Sequence, residues 1–253
     1  SHVRIHSALH DALENEQFTL VYQPQFRLAE RTLDGFEALI RWNHPQLGNI
    51  PPTDFIPLAE KSGLIGNIGL WVLDAACKQG VAWLKQGVEF GQIAVNISSQ
   101  QLAQPDFIRK VTKVLQDTGL PPERLELEIT EGSLLLNPEK AVGDLKVLSE
   151  LGIEIALDDF GTGYSSMTYL KKLPLHKLKI DASFVNDIPM DQDSNAIANA
   201  IIALGNSLSL KVIAEGLETE EQAKYLLKNG CLLGQGYHLG YPVSAAECEK
   251  LLN

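Results

Sequence analysis

Apolar residues in this chain fall into two alternating patterns: short runs typical of buried strands, and longer stretches with the three-to-four-residue spacing of amphipathic helices. At the start, Val3, Ile5, Ala8, Leu9, Ala12 and Leu13 lie on roughly one helical face across residues 3–15. Strands follow over 18–26 and 32–42, and the very short connection between them predicts antiparallel pairing. Helices are predicted over 54–61, opened by Thr53 as cap, and over 68–85. The order then becomes strand 92–97, helix 106–118, strand 125–129, helix 138–151, strand 154–157, a Gly/Ser-rich loop and short helix ending at Lys172, and strand 177–180. Helix 194–208, strand 211–214, helix 220–228, strand 232–234 and helix 245–251 complete the chain. Pro105 and Pro138 stand at or near helix first turns, and Gly152 and Gly230 follow helix ends, where the chain must turn back. Eight strands interleaved with helices, without a linker or internal repeat, predict a single TIM-like (β/α)8 barrel of the α/β class with an antiparallel first strand. Residues 1–16 read as a leading helix from an upstream domain and 17–253 as the barrel.

At 253 residues with 45% hydrophobic content the chain is long enough for one large barrel with a full core. It has no run of about 18 uncharged apolar residues, and its start, from Ser1 and His2, has no signal-peptide apolar segment. It reads as a piece of something longer, with Ser1-His2 a cloning remnant. The three cysteines, Cys77, Cys231 and Cys248, are widely spaced and form no CxxC pair, as expected of reduced core thiols in a cytoplasmic protein. The net charge of −11 disfavours a surface that coats a nucleic-acid polymer. It leaves room for an anionic small ligand, because bound divalent cations reverse the local field.

Seven apolar runs end on a residue able to bind a metal or a phosphate: Glu37, Asn96, Glu128, the pair Asp158-Asp159, Asp181, Glu215 and Gln235. Such residues at strand tips meet on one face of a barrel, where active sites of this architecture lie. One acidic tip alone is more often a cap or a turn former, but capping does not select hard oxygen ligands on strand after strand. Glu37, Asn96, Glu128 and Asp158 suit Mg²⁺ or Mn²⁺ better than zinc. Asp159 and Glu215 add carboxylates for a second ion bridged through Asp158, a pair that would clamp a phosphodiester. Without cations, this many buried carboxylates should raise one another's pKa values.

Lys179 shares a strand face with Asp181 and either orients water and neutralises phosphate charge or forms a structural ion pair with Asp181 or Asp158. Arg41, on the face of Glu37, is a candidate bidentate phosphate partner or a plain surface charge. The loop 159–166 contains Gly161 and Gly163, with Ser165 or Ser166 as cap of the next helix. Glu131 either holds that loop or is a first-turn acid. The six histidines show no ligand spacing, and no G-x-S-x-G elbow is present.

At Glu37-Ala38-Leu39, followed by Arg41-Trp42, the chain resembles the EAL-domain family of cyclic di-GMP phosphodiesterases. The likeness extends through Tyr22-Gln23-Pro24, residues 48–60 (GNIPPTDFIPLAE), Val95 to Ser98, Leu127 to Glu131, residues 158–166 (DDFGTGYSS), Lys179 to Asp181, Ala214 to Glu218, and Gln235-Gly236-Tyr237 with Pro242. The resemblance implies two Mg²⁺ or Mn²⁺ ions and hydrolysis of cyclic di-GMP to linear pGpG in bacterial signalling; Ca²⁺, with its larger and looser coordination shell, is expected to be inhibitory. It implies metal ligation by Glu37, Asn96, Glu128, Asp158, Asp159 and Glu215, and catalytic roles for Lys179, Gln235, Glu131 and Glu215. Gln23, Leu39, Arg41, Asp181 and Glu218 match positions that contact the dinucleotide. It further implies a homodimer through residues 159–172, an upstream sensory or GGDEF domain, and a cytoplasmic domain whose full-length parent can be anchored in the inner membrane. Leu232 and Met167 depart from the common pattern, with an aspartate and a leucine usual there, at positions without proposed chemistry. The competing reading is a catalytically silent receptor for the dinucleotide, which would usually lack some of these ligands.

Overall fold

The computed structural model describes residues 2–163 and 167–252. Nine strands occur among them: β1 (Phe18–Arg27), β2 (Thr32–His44), β3 (Gly48–Ile50), β4 (Gln92–Asn96), β5 (Leu125–Thr130), β6 (Glu154–Phe160), β7 (Lys177–Ile180), β8 (Lys211–Ala214) and β9 (Leu233–Gly234). Eight close a ring in the order β1-β9-β8-β7-β6-β5-β4-β2, with β2 pairing back onto β1. β1 runs antiparallel to both neighbours, and the other ring contacts are parallel. This is the TIM-like (β/α)8 barrel with a reversed first strand. β3, which the sequence pattern did not reveal, forms a small hairpin on the free end of β2.

The helices are α1 (His2–Asp11), α2 (Pro52–Ser62), α3 (Ile65–Lys85), α4 (Ser99–Ala103), α5 (Phe107–Thr118), α6 (Pro138–Glu150), α7 (Met167–Lys172), α8 (Ala182–Val185), α9 (Gln192–Ser207), α10 (Glu220–Lys228) and α11 (Ala245–Leu252). Short α4 and α8 escape the periodicity because one turn shows no repeat. Thr53 is not the cap of α2: Pro51 holds that position without a side-chain bond, and Pro52 begins the helix, its fixed φ and missing N–H suiting a first turn. Pro138 opens α6 as expected, and Gly152 and Gly230 have the positive φ of chain reversal. The cap assigned to Ser165 or Ser166 lies outside the described residues.

The main core lies between the outward face of the ring and the helices around it. A second cluster joins Ile5 and Leu9 of α1, with Ala12 just after it, to Phe18, Trp42, Phe55 and Ala59, so α1 is packed onto the barrel. The three cysteines are buried and unpaired. Inside the ring, where such barrels usually place branched apolar side chains, this one buries Gln23, Gln25, Glu37, Glu126, Glu128, Lys177, Lys179 and Gln235. A polar interior of this kind must be satisfied by its own pairing.

Candidate active site

Parallel register brings the strand tips level. Glu37 lies on β2, Asn96 and Glu128 are partners on β4 and β5, and Thr130 pairs with Asp158 across β5 and β6. Glu37, Glu128 and Asp158 are buried, and their carboxylate oxygens lie within 4.8 Å of one another; Asp158, Asp159 and Glu215 form a second such triad. Asp158 belongs to both. Asp159 sits in the left-handed region with φ 54°, uncommon for a residue with a Cβ. Its N–H donates to Asp158 Oδ1 at 2.8 Å, so the turn that lets two consecutive carboxylates serve one site is fixed locally.

Lys179, with no exposed surface, is the hub of this cluster. Its Nζ donates to Glu128 Oε1 and Oε2 at 2.7 and 2.8 Å and to Glu37 Oε2 at 3.4 Å, and pairs with Glu215 Oε1 at 2.7 Å. The alternative ion pairs with Asp181 or Asp158 are not the contacts formed. Asp181 instead caps α8 by accepting from Ser183 N–H at 2.9 Å. Gln235 Nε2 donates to Glu37 Oε2 at 2.6 Å and to Gln23 Oε1 at 2.9 Å, while its own Oε1 accepts from Gln25 Nε2 at 3.0 Å. Asn96 Nδ2 donates to Glu37 Oε1 at 2.9 Å.

The electrostatics follow from this wiring. Burial pushes the Glu37 carboxyl upward, but the Lys179 charge and hydrogen bonds from Asn96 and Gln235 outweigh it and hold the pKa below the ordinary value. The expected general rise therefore fails at Glu37, the carboxylate richest in donors. At Glu128 it holds: burial, then Glu37, drives its carboxyl well above the usual value despite Lys179. Glu215 rises to about 8 because burial, aided by Asp158 and Glu37, outweighs the charge and hydrogen bond of Lys179. Asp159 rises to about 7 through burial, Asp158 and a hydrogen bond with Asp181. Burial would lower Lys179, but Asp158, Glu128, Glu215 and Glu37 raise it well above its normal range.

Glu131 begins a 3₁₀ turn after β5 and accepts from Gly161 N–H at 3.3 Å, combining the two readings weighed for it. Leu39 and Arg41 are half-buried beside a cavity of about 390 Å³, walled by Ile40, Ile56, Ile68 and Val72 and reaching Asn96 and Glu128. Arg41 donates Nη1 to the Ile40 carbonyl at 2.9 Å. Glu218 is exposed just beyond β8, outside the carboxylate cluster. Gln25, and the buried pair Lys177–Glu126 one layer below the cluster at 2.7 Å, were not singled out from the sequence. Their signal was there in the alternation of Gln23-Pro24-Gln25, Glu126-Leu127-Glu128 and Lys177-Leu178-Lys179.

The donor set consists of hard oxygens, with no cysteine or histidine in either triad, which fits Mg²⁺ or Mn²⁺. The EAL domain profile matches residues 6–242. The chain is 47% identical over 242 residues to the bifunctional diguanylate cyclase/cyclic di-GMP phosphodiesterase MucR of Pseudomonas aeruginosa, covering 94% of this chain and 35% of that protein. It is 42% identical over 250 residues to the cyclic di-GMP phosphodiesterase NbdA of the same organism, covering 99% of this chain and 32% of NbdA. The chain thus spans about a third of the length of these relatives. A solved structure of the PaMucR phosphodiesterase in complex with c-di-GMP superposes with a TM-score of 0.93 at 45% identity, covering 97% of this chain and 99% of that one.

Proposed function

The chain belongs to the EAL-domain family, and from that premise we propose that it is a metal-dependent phosphodiesterase that opens one ring phosphate of cyclic di-GMP to give linear pGpG. The observation that carries this reading is Asp158 shared between two carboxylate triads. Glu37, Asn96, Glu128 and Asp158 would hold one Mg²⁺ or Mn²⁺, and Asp158, Asp159 and Glu215 the other. Two such ions supply an activated water and charge stabilisation for the leaving oxygen. Lys179 and Gln235 bring N–H donors to the same point and would orient the attacking water. Glu131 would steady the loop carrying Asp159 through Gly161. Gln23, Arg41, Leu39, Asp181 and Glu218 would position the dinucleotide, with the cavity beside Arg41 large enough to take one purine.

The test is incubation with cyclic di-GMP and Mg²⁺ or Mn²⁺, followed by separation of products. Appearance of pGpG, abolished in Glu37→Ala, supports the enzyme. Tight binding without turnover would instead mark a receptor. Ca²⁺ is expected to suppress turnover, because its larger and looser coordination shell misplaces the groups around the reacting phosphate. A homodimer through residues 159–172, an upstream sensory or GGDEF region and a cytoplasmic location belong to the same reading. The greater length of the curated relatives supports a further region outside this chain.

A further inference from the structure

Three glutamines are buried inside the barrel, and the chemistry outlined above uses only two of them, Gln23 and Gln235. The third, Gln25, belongs to neither carboxylate triad. In the β1–β2 register Gln23 stands opposite Glu37 and Gln25 opposite Gly35, so Gln25 lies one layer below the acidic tips. A Cβ at Gly35 would meet the Gln92 carbonyl at 2.8 Å and touch Gln25 Oε1 at 3.6 Å, so the bare glycine keeps the facing wall open for the Gln25 side chain. The register slips directly after Gln25, between it and Phe26, and an irregularity of this kind re-aims the side chains beside it. Gln25 Nε2 reaches Gln235 and donates to its Oε1 at 3.0 Å.

The direction of each amide in this trio is fixed by groups that only accept. The Glu37 carboxylate, paired with Lys179, has no proton to give, so Gln235 turns Nε2 toward Glu37 Oε2 at 2.6 Å. Gln23 Nε2 faces the Gly240 carbonyl at 3.3 Å, which leaves Gln23 Oε1 to accept the second Gln235 N–H at 2.9 Å. Gln235 Oε1 therefore points the other way, and Gln25 supplies the N–H that meets it. The last torsion of a glutamine is broad and roughly two-fold, so contacts on Nε2 alone hold the amide loosely. A donor on the opposite side closes the alternative, because a flipped Gln235 would set N–H against N–H and its oxygen against a carboxylate.

We propose that Gln25 is a positioning residue for turnover, which holds the Gln235 amide with its N–H groups aimed at Glu37. Resting on the phosphodiesterase reading, it acts from below the site and only through Gln235. Wild type, Gln25→Met, Gln235→Met and the double variant test it, assayed with cyclic di-GMP and Mn²⁺. Methionine matches glutamine in length and lacks the N–H. Gln25→Met should lower kcat about tenfold, the scale of a supporting contact around a metal site, and leave KM within about twofold of wild type. In the Gln235→Met background the same change should cost less than about twofold, because the group it positions is already gone. Equal losses in both backgrounds would mark a packing role and overturn the proposal, as would an unchanged kcat or a loss confined to KM. A second readout needs neither metal nor turnover. In chelated protein with glutamine labelled at its side-chain nitrogen, the Gln235 amide signal, identified by its absence from Gln235→Met, should shift and exchange faster with solvent in Gln25→Met. An unmoved signal overturns the positioning role and leaves the phosphodiesterase reading intact. A wild type that does not hydrolyse cyclic di-GMP overturns that reading, and the role of Gln25 in turnover with it. Should Gln25→Met not fold, Gln25→Asn gives the same readouts, since it keeps the amide and withdraws it by one methylene, out of hydrogen-bond reach of Gln235.

Discussion

Two charged layers lie one above the other inside the barrel. In the lower, Lys177 and Glu126 form a buried pair at 2.7 Å, one cation to one anion. In the upper, two residues further along the same strands, Lys179 meets Glu128, Glu215 and Glu37, with Asp158 and Asp159 close by: one cation among five carboxylates. Between β5 and β7 the strand β6 contributes Ala156, level with Glu128 on one side and Lys177 on the other, and its small side chain leaves room for charged groups to meet across it. The lower layer is balanced in charge. The upper has surplus negative charge, three raised carboxyl pKa values and an opening to the mouth. Similar residues on similar strands thus serve different ends: a balanced pair holds the barrel, and an unbalanced set has capacity for divalent cations.

Substitutions can break this contrast layer by layer. Lys177→Met leaves Glu126 buried without its partner and should cost about 3–5 kcal/mol of stability, measured by urea denaturation. Lys177→Met combined with Glu126→Leu removes both charges and should recover most of the loss; a double variant as unstable as the single would show that the lower layer is not a self-contained pair. In the upper layer the consequence moves from stability to turnover. Glu128→Gln should reduce the rate of cyclic di-GMP hydrolysis by about 10²–10³-fold. It should change the thermal midpoint of chelator-treated protein far less than turnover, because burial and the Glu37 charge already penalise a charged carboxyl at this position.

The pH dependence of the chelated protein sharpens the comparison. Glu215 and Asp159 have folded-state pKa values of about 8 and about 7, above those of an unfolded chain, so the folded state binds the proton more tightly. Their stabilisation is complete below the unfolded values and is lost as pH rises through about 7 and 8. The thermal midpoint in chelator should therefore fall between about pH 6 and pH 9, and Mn²⁺ should flatten the slope. A midpoint that rises over this range would contradict the charge surplus. The smallest effect is expected at the edge of the upper layer: Glu131→Ala removes the acceptor for Gly161 N–H and should lower turnover about tenfold, the scale of a supporting contact around a metal site.

Much of this was readable in local pattern. A two-residue alternation decides which side chains enter the ring, and an apolar strand ending in a carboxylate decides which stand at its mouth. Those rules placed Glu37, Glu128, Asp158, Asp159 and Glu215 together. They did not reveal Lys177–Glu126 or Gln25, because attention to strand tips ignores polar residues one layer lower. Nor did they predict the depressed pKa of Glu37, which depends on donors from β4, β7 and the end of β9.

The sequence by itself determined the alternation of strands and helices, the reversed first strand and the identity of the carboxylates at the strand tips, since each depends on spacing within a few residues. Only the tertiary structure decided which carboxylates Lys179 meets, that Gln235 reaches Glu37 across 198 positions, and that Gln25 meets Gln235. Ring closure brings distant strands within hydrogen-bond range, and hydrogen-bonding partners selected at that distance leave no periodic trace along the chain.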